Sequence, residues 1–325
     1  MSIPRRHALA ALAAGSAALA LPRPALAQAP WRPTQPVRII VPFPPGGTND
    51  LMARPLAEAL RASFDQPVVV ENRSGAGGTI GATQVHRAAP DGHTLLVTSA
   101  ILVTAAIVQP VGWSAVDGFT PVAQIARSPN AVAVHAGLPI RTVQELIEYA
   151  RARPGAVNYG SVGIGSLGHF ITEALSLRTG IRMTHVPYRG GSQAVTDLAS
   201  GQLQLLVSTP PPIIGLAREG RVRIIAYTAE GDPAQGLEAP TLKQSGIDME
   251  AGLWFGLFAP PGLPAPILRT LNEASNAALR TPEFTRLLRA EGAIATPVTP
   301  AAFAESVREE DARWREVARA ADIKL

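Results

Sequence analysis

Val37-Arg38-Ile39-Ile40-Val41-Pro42-Phe43-Pro44-Pro45-Gly46-Gly47-Thr48-Asn49-Asp50 carries the chain from a strand pattern to a helix start. Val37–Pro42 is apolar except for Arg38 and lacks the polar alternation of a half-wet sheet, so it reads as a strand covered on both faces. Pro44 and Pro45 stiffen the loop that follows, while Gly46 and Gly47 let backbone approach a ligand with no Cβ in the way. Thr48, Asn49 and Asp50 are capping candidates for a helix over Asn49–Phe64. The unpaired N–H groups and partial positive charge at that helix start favour an anion. The same segment also reads as a rigid strand-to-helix turn with no ligand at all.

Outward from this stretch the pattern repeats. Val68–Glu71, Thr94–Thr98, Val122–Ile125 and Ala131–His135 are further buried-strand candidates, and a helix over Thr79–Ala89 stops at the turn Pro90-Asp91-Gly92. A second series follows, with helices Val143–Arg153, Leu167–Thr179 and Gln193–Ser200 among strands Val157–Gly160, Met183–Val186, Leu203–Val207 and Arg223–Thr228. Trp254–Ala259 is one more buried strand, and three helical stretches complete the chain. The last, Pro300–Ala320, sets Phe303, Val307, Trp314 and Val317 on one face. Strand–helix alternation of this kind predicts an α/β protein with parallel strands in two halves. Val41-Pro42-Phe43 with Gly46-Gly47-Thr48 is echoed by Val186-Pro187-Tyr188 with Gly190-Gly191-Ser192, as two facing halves would produce, although abundant Gly and Pro could produce it by chance.

The first residues are of another kind. Arg5 and Arg6 precede an apolar run from Ala8 to Leu21, and Ala25-Leu26-Ala27 offers a small-x-small cleavage site, so residues 1–27 read as a secretory signal peptide. The run is shorter than the roughly 20 residues of a membrane-spanning helix, which favours cleavage over anchoring. Residues 1–27 carry Arg5, Arg6 and Arg23 and no acid, so the formal charge of +4 is largely a property of this leader. Lys243 and Lys324 are the only lysines and the arginines form no stripe, which argues against nucleic-acid binding. With no cysteine, disulfides, thiolate metal sites and cysteine nucleophiles are excluded.

Two further glycine-rich junctions need separate readings. Ser74-Gly75-Ala76-Gly77-Gly78-Thr79-Ile80-Gly81 has Ile80 where a dinucleotide fingerprint needs glycine, so close packing of helix on sheet is its first role. Gly163-Ile164-Gly165-Ser166-Leu167-Gly168 does match G-x-G-x-x-G. The next strand, however, ends His185-Val186-Pro187-Tyr188 with no acid for a ribose hydroxyl, so no dinucleotide and no other cofactor is expected. That loop, with Ser161 and Ser166 as hydroxyl donors, is instead a second anion cradle. Thr98 and Ser99 end the third strand on the side of Gly46 and Gly47, since parallel strands place their C-terminal loops together. No nucleophile elbow, phosphate loop or paired-histidine metal motif occurs, and Ser161 or Ser166 with His169 lacks an orienting acid.

Taken in order, these motifs resemble one family over essentially the whole mature chain: the solute receptors of tripartite tricarboxylate transporters, also called Bug proteins. Besides the opening stretch, the resemblance rests on Pro67-Val68-Val69-Val70-Glu71-Asn72-Arg73-Ser74-Gly75-Ala76-Gly77-Gly78 with Gly81, Ala89-Pro90-Asp91-Gly92, Asn158-Tyr159-Gly160-Ser161, His185-Val186-Pro187-Tyr188-Arg189-Gly190 and Trp254-Phe255-Gly256-Leu257. It implies a two-lobed periplasmic-binding-protein type II fold, each lobe a mostly parallel sheet flanked by helices, hinged by two crossovers near His135–Ile140 and Ala251–Trp254. Lobe 1 would then hold residues 28–137 and 254–325, and lobe 2 residues 138–253. The implied protein is a periplasmic, monomeric, non-enzymatic receptor that passes a small carboxylate to membrane permease subunits; a periplasmic sensor or a hydrolase are the competing functions. Carried over by position, the ligand contacts are Phe43, Gly46, Gly47, Thr48 and Asp50, then Thr98 and Ser99, then Ser161, Gly163, Ser166 and His169, and the Pro187-Tyr188 turn. The chain departs from the family after Leu203–Val207: where an Asp and a second polar group are common, it reads Ser208-Thr209-Pro210-Pro211-Pro212, leaving Ser208 and Thr209 as donors on an altered wall.

Overall fold

The computed structural model describes residues 31–231 and 238–324; the expected export signal, residues 1–27, lies outside them. Two sheets form. The first contains β1 (Val37–Val41), β2 (Val68–Asn72), β3 (Thr94–Ser99), β4 (Thr120–Pro129), β10 (Gly252–Ala259) and β11 (Ile294–Ala295), ordered β11-β4-β10-β3-β1-β2. The second contains β5 (Ala131–His135), β6 (Asn158–Ser161), β7 (Thr184–Pro187), β8 (Leu205–Ser208) and β9 (Val222–Tyr227), ordered β7-β6-β8-β5-β9.

Each sheet has a parallel trio, β2-β1-β3 or β7-β6-β8, extended by antiparallel strands. In the first sheet β10 runs antiparallel to β3 and β4; in the second β5 runs antiparallel to β8 and β9. The sheets are therefore mixed, because the strands that carry the chain between them must enter against the βα direction. Both follow one plan, in which β6 stands where β1 stands and β7 where β2 stands. The echo between the loops after β1 and β7 thus joins non-equivalent positions and is no internal repeat. The counterpart of the Pro42–Gly47 loop is Val162–Ser166.

The chain changes sheet earlier than the sequence suggests. β4 and β5 are separated by Asn130 alone, and Ala131–His135 pairs with β8 and β9, so the first crossing stands at Asn130 rather than within His135–Ile140. A continuous apolar run with one Asn in it gives no sign of where pairing partners switch. Asn130 and Thr228 bond the two crossings together: Asn130 N–H donates to Thr228 Oγ1 and Thr228 N–H to the Asn130 carbonyl, each at 2.9 Å. Ala251 N–H then donates to the Thr228 carbonyl at 3.0 Å before β10 begins.

Ten helices flank the sheets among the described residues: α1 (Thr48–Phe64), α2 (Thr79–His86), α3 (Ile101–Val108), α4 (Val143–Ala152), α5 (Leu167–Thr179), α6 (Gly191–Ser200), α7 (Pro210–Arg218), α8 (Ala265–Ala278), α9 (Pro282–Ala290) and α10 (Pro300–Ala320). None is long and apolar enough to cross a membrane. One apolar core runs from Ile40, Leu96 and Phe258 of the first lobe to Val134, Tyr159 and Leu205 of the second. Helix α10 seals it: Trp314 packs at 5.6 Å from Phe170 of α5, and buried Glu310 accepts the indole N–H groups of Trp254 and Trp314.

Candidate functional site

The parallel strands of both lobes end toward a cavity of about 560 Å³. The first lobe contributes Ser99 at the end of β3, Ile101 at the start of α3, and Leu253 of β10. The second contributes Ser166, Leu167 and Gly168 at the start of α5, Gly191 and Ser192 at the start of α6, and Ser208, Thr209 and Pro212 around the start of α7. Val162, Val195, Leu206 and Val207 fill in its apolar wall, and Asn130 reaches it from the crossing itself. Glycine at 168 is required by the closeness of α5 to β8, since a Cβ there would lie 2.5 Å from the Val207 carbonyl oxygen.

The chemistry of this cavity is that of neutral donors. None of the described residues lining it is charged. Four helix starts meet at it; the caps of α3, α5 and α6, Ala100, Ser166 and Gly190, satisfy no first-turn N–H through a side chain, whereas α7 begins on three prolines that have none. Open N–H groups and the fractional positive charge of a helix start both favour an anion. Two side chains point the same way. Asn130 is 4% exposed and Ser166 6% exposed, yet Asn130 Nδ2 and Ser166 Oγ have no hydrogen-bond partner. A buried donor without a partner is unfavourable by about 1–3 kcal/mol, and both belong to residues that line this one cavity.

The expected site residues divide accordingly. Ser99, Ser166, Ser208 and Thr209 are brought together at the cavity. Thr98, on the opposite face of β3, lines a separate hollow of about 10 Å³ beside Gly77, Gly78 and Thr79. In the first loop Asp50 is 2% exposed and turns inward. It accepts from Gly46 N–H at 2.9 Å, from Arg54 Nε at 2.8 Å and from Asn72 Nδ2 at 3.0 Å. Burial alone would raise its pKa, but these bonds and the Arg54 charge hold it below its ordinary value. Asp50 therefore braces the loop rather than facing the cavity, and the Gly46 N–H is already taken. Asn72 Nδ2 also donates to the Phe43 carbonyl, and the Phe43 ring packs over Gly78, whose Cβ would lie 3.0 Å from it. Gly47 is exposed on extended backbone, and the Thr48 hydroxyl lies 3.5 Å from a carboxylate oxygen of Glu291.

In the second lobe Ser161 is 1% exposed, its oxygen enclosed by His185 Nε2 at 2.7 Å, the Gly163 carbonyl at 3.0 Å and the Gly163 N–H at 3.2 Å. Gly165 N–H donates to His169 Nδ1 at 3.2 Å, which leaves the proton of the neutral ring on Nε2. His169 stacks on His185 at 3.8 Å, and His185 on Tyr159 at 4.9 Å. Burial lowers both imidazoles to about 4, with the neighbouring ring adding to the effect at His169, so the stack is uncharged at neutral pH. Pro187 is exposed in the edge strand, and Tyr188 turns to α6, donating to Asp197 at 2.7 Å. These residues fix the loop that carries Ser166. Gly165 needs its positive φ of 77° and comes against Val108 of α3, where the lobes touch.

Asn130 escaped the sequence reading, and so did the apolar wall. A lone amide between two apolar strand runs was the available signal, but only the crossing makes it a site residue.

Two α/β lobes of one topology, joined by bonded crossings over an uncharged cavity, define a solute-binding receptor. The family model described as tripartite tricarboxylate transporter family receptor matches residues 52–323, and the chain belongs to that family. Protein BugT of Bordetella pertussis is 33% identical over 90% of this chain and 91% of its own length. Among solved structures, an R. palustris protein with adipate is 36% identical with a TM-score of 0.74, covering 90% of this chain and 99% of that one. MatC from Rhodopseudomonas palustris with bound malate is 31% identical with a TM-score of 0.72, covering 88% and 99%.

Proposed function

We propose that this protein is an exported receptor that captures a small carboxylate between its lobes and delivers it, chemically unchanged, to the membrane subunits of a tripartite tricarboxylate-type transporter from the periplasm. The observation that carries this reading is the pair of buried, unpartnered donors, Asn130 Nδ2 and Ser166 Oγ, at one uncharged cavity among helix starts. Adipate and malate in the R. palustris relatives support a carboxylate as the ligand class. Neutral donors suit a carrier, because an anion held without a buried ion pair can be released again. Asn130 is both a cavity residue and the first crossing, which links ligand contact to hinge closure.

Isothermal titration of the purified mature protein with a panel of mono-, di- and tricarboxylates, followed by mass spectrometry of the recovered ligand, tests this. Saturable binding with every ligand molecule recovered intact is the expected result. Absence of binding by every carboxylate, or turnover of a bound one, contradicts it. Loss of uptake of that carboxylate on deletion of the gene, with induction intact, separates transport from sensing.

A further inference from the structure

Resting on that reading, we infer that the ligand is a monocarboxylate with an uncharged, apolar remainder, and that the turn Pro210-Pro211-Pro212 excludes a second carboxylate. Three observations combine. First, among the described residues that line the cavity, two have a buried donor without a partner, Asn130 Nδ2 and Ser166 Oγ, which matches the two oxygens of one carboxylate. Second, the charge is limited. No cation lines the cavity among the described residues, and the starts of α3, α5 and α6 each contribute on the order of half an elementary charge, enough for one carboxylate and short of two. Third, the remaining helix start cannot add to that sum in the usual way. The first three residues of α7 are prolines, none of which has an N–H, so the groups on which the terminal charge would reside are missing.

Proline is tolerated in a first helical turn because those N–H groups have no partner inside the helix. At a helix start facing a ligand cavity the same substitution has a cost in function: it removes donors that an anion would use. Pro212 lines the cavity beside Val195, Leu206 and Leu253, so that a carboxylate placed there would give up water and gain no hydrogen bond from the turn. An alkyl or aryl group placed there loses nothing. The ligand polarity follows, with the carboxylate at Asn130 and Ser166 and the apolar body toward Pro212. Adipate and malate, the ligands of the two R. palustris relatives, are both dicarboxylates, so this chain would differ from them in specificity while keeping their fold.

The test uses matched pairs: hexanoate against adipate, and benzoate against terephthalate, titrated calorimetrically into the mature protein alongside a wider panel of carboxylates. The expected result is binding at least ten-fold tighter for the monocarboxylate of whichever pair binds, and for the monocarboxylates of the panel as a class. The Pro211→Ala, Pro212→Ala double variant, which restores two N–H groups to the first turn of α7, should bring the mono-to-di ratio down at least three-fold through a gain by the dicarboxylate. Dicarboxylates that bind the unaltered protein as tightly as their partners overturn the inference and leave the receptor reading standing. A ratio unmoved in a folded double variant overturns the role of the proline turn. Failure of all carboxylates to bind removes the receptor reading itself.

Discussion

Ser166 occupies the capping position of α5 with extended backbone, φ −70° and ψ 155°, yet its hydroxyl makes no bond to the first turn. A serine there ordinarily stabilises its helix by about 1 kcal/mol, and Ser→Ala forfeits that amount. Here there is no cap bond to lose. Ser166→Ala instead removes a buried hydroxyl that lacks a partner, so the ligand-free protein should keep its melting temperature or gain up to about 3 °C. Ligand binding should respond in the opposite sense. A hydrogen bond to a charged group is worth about 1.5–3 kcal/mol, which corresponds to a Kd raised about ten- to hundred-fold. Calorimetric titration and thermal unfolding of the same preparation measure both quantities. The reasoning is refuted by a variant that melts several degrees lower and binds its ligand as before, since that would make Ser166 an ordinary structural cap.

Three further outcomes follow from the geometry. Asp50→Ala removes the acceptor that Gly46 N–H, Arg54 and Asn72 share, and urea unfolding should show a loss of about 1–3 kcal/mol; unchanged stability would contradict the bracing role. Gly168→Ala forces a Cβ to within 2.5 Å of the Val207 carbonyl oxygen and should destabilise by about 1–3 kcal/mol while weakening ligand binding, with a melting temperature equal to that of the parent as the contrary result. His169 and His185 titrate near 4 in the folded protein against an ordinary 6.5, so between those values the unfolded chain binds more protons. The stabilisation is complete above about pH 6.5 and declines as pH falls toward 4; melting curves across that window should show the decline, and His185→Gln should flatten it.

Much of the fold was legible because buried parallel strands announce themselves as short Val- and Ile-rich runs. The first-loop and second-loop glycines were equally visible. What the pattern does not contain is pairing. Ala131–His135 looks the same whether it extends the first sheet or opens the second, and only its bonds to β8 and β9 decide. Helix α3, Ile101–Val108, is apolar but for Thr104 and so has no helical period to detect, while α7 hides behind three prolines that occupy its first turn. Within the site, residue type alone cannot separate a donor used by its own loop from one left open. Ser161 and Ser166 read alike as hydroxyls at the end of a strand. His185 and Gly163 occupy the first, and the second has no partner. Asp50 reads as a ligand contact beside two exposed glycines, but a carboxylate that already accepts four bonds from three residues has nothing to offer another anion.

A crystal structure of the mature protein with its tightest-binding carboxylate bears most directly on all of this. The oxygens of the bound acid should lie within about 3.2 Å of Asn130 Nδ2 and Ser166 Oγ, between the lobes and in front of α5. A carboxylate found elsewhere, with those two groups still unpartnered, would contradict the assignment.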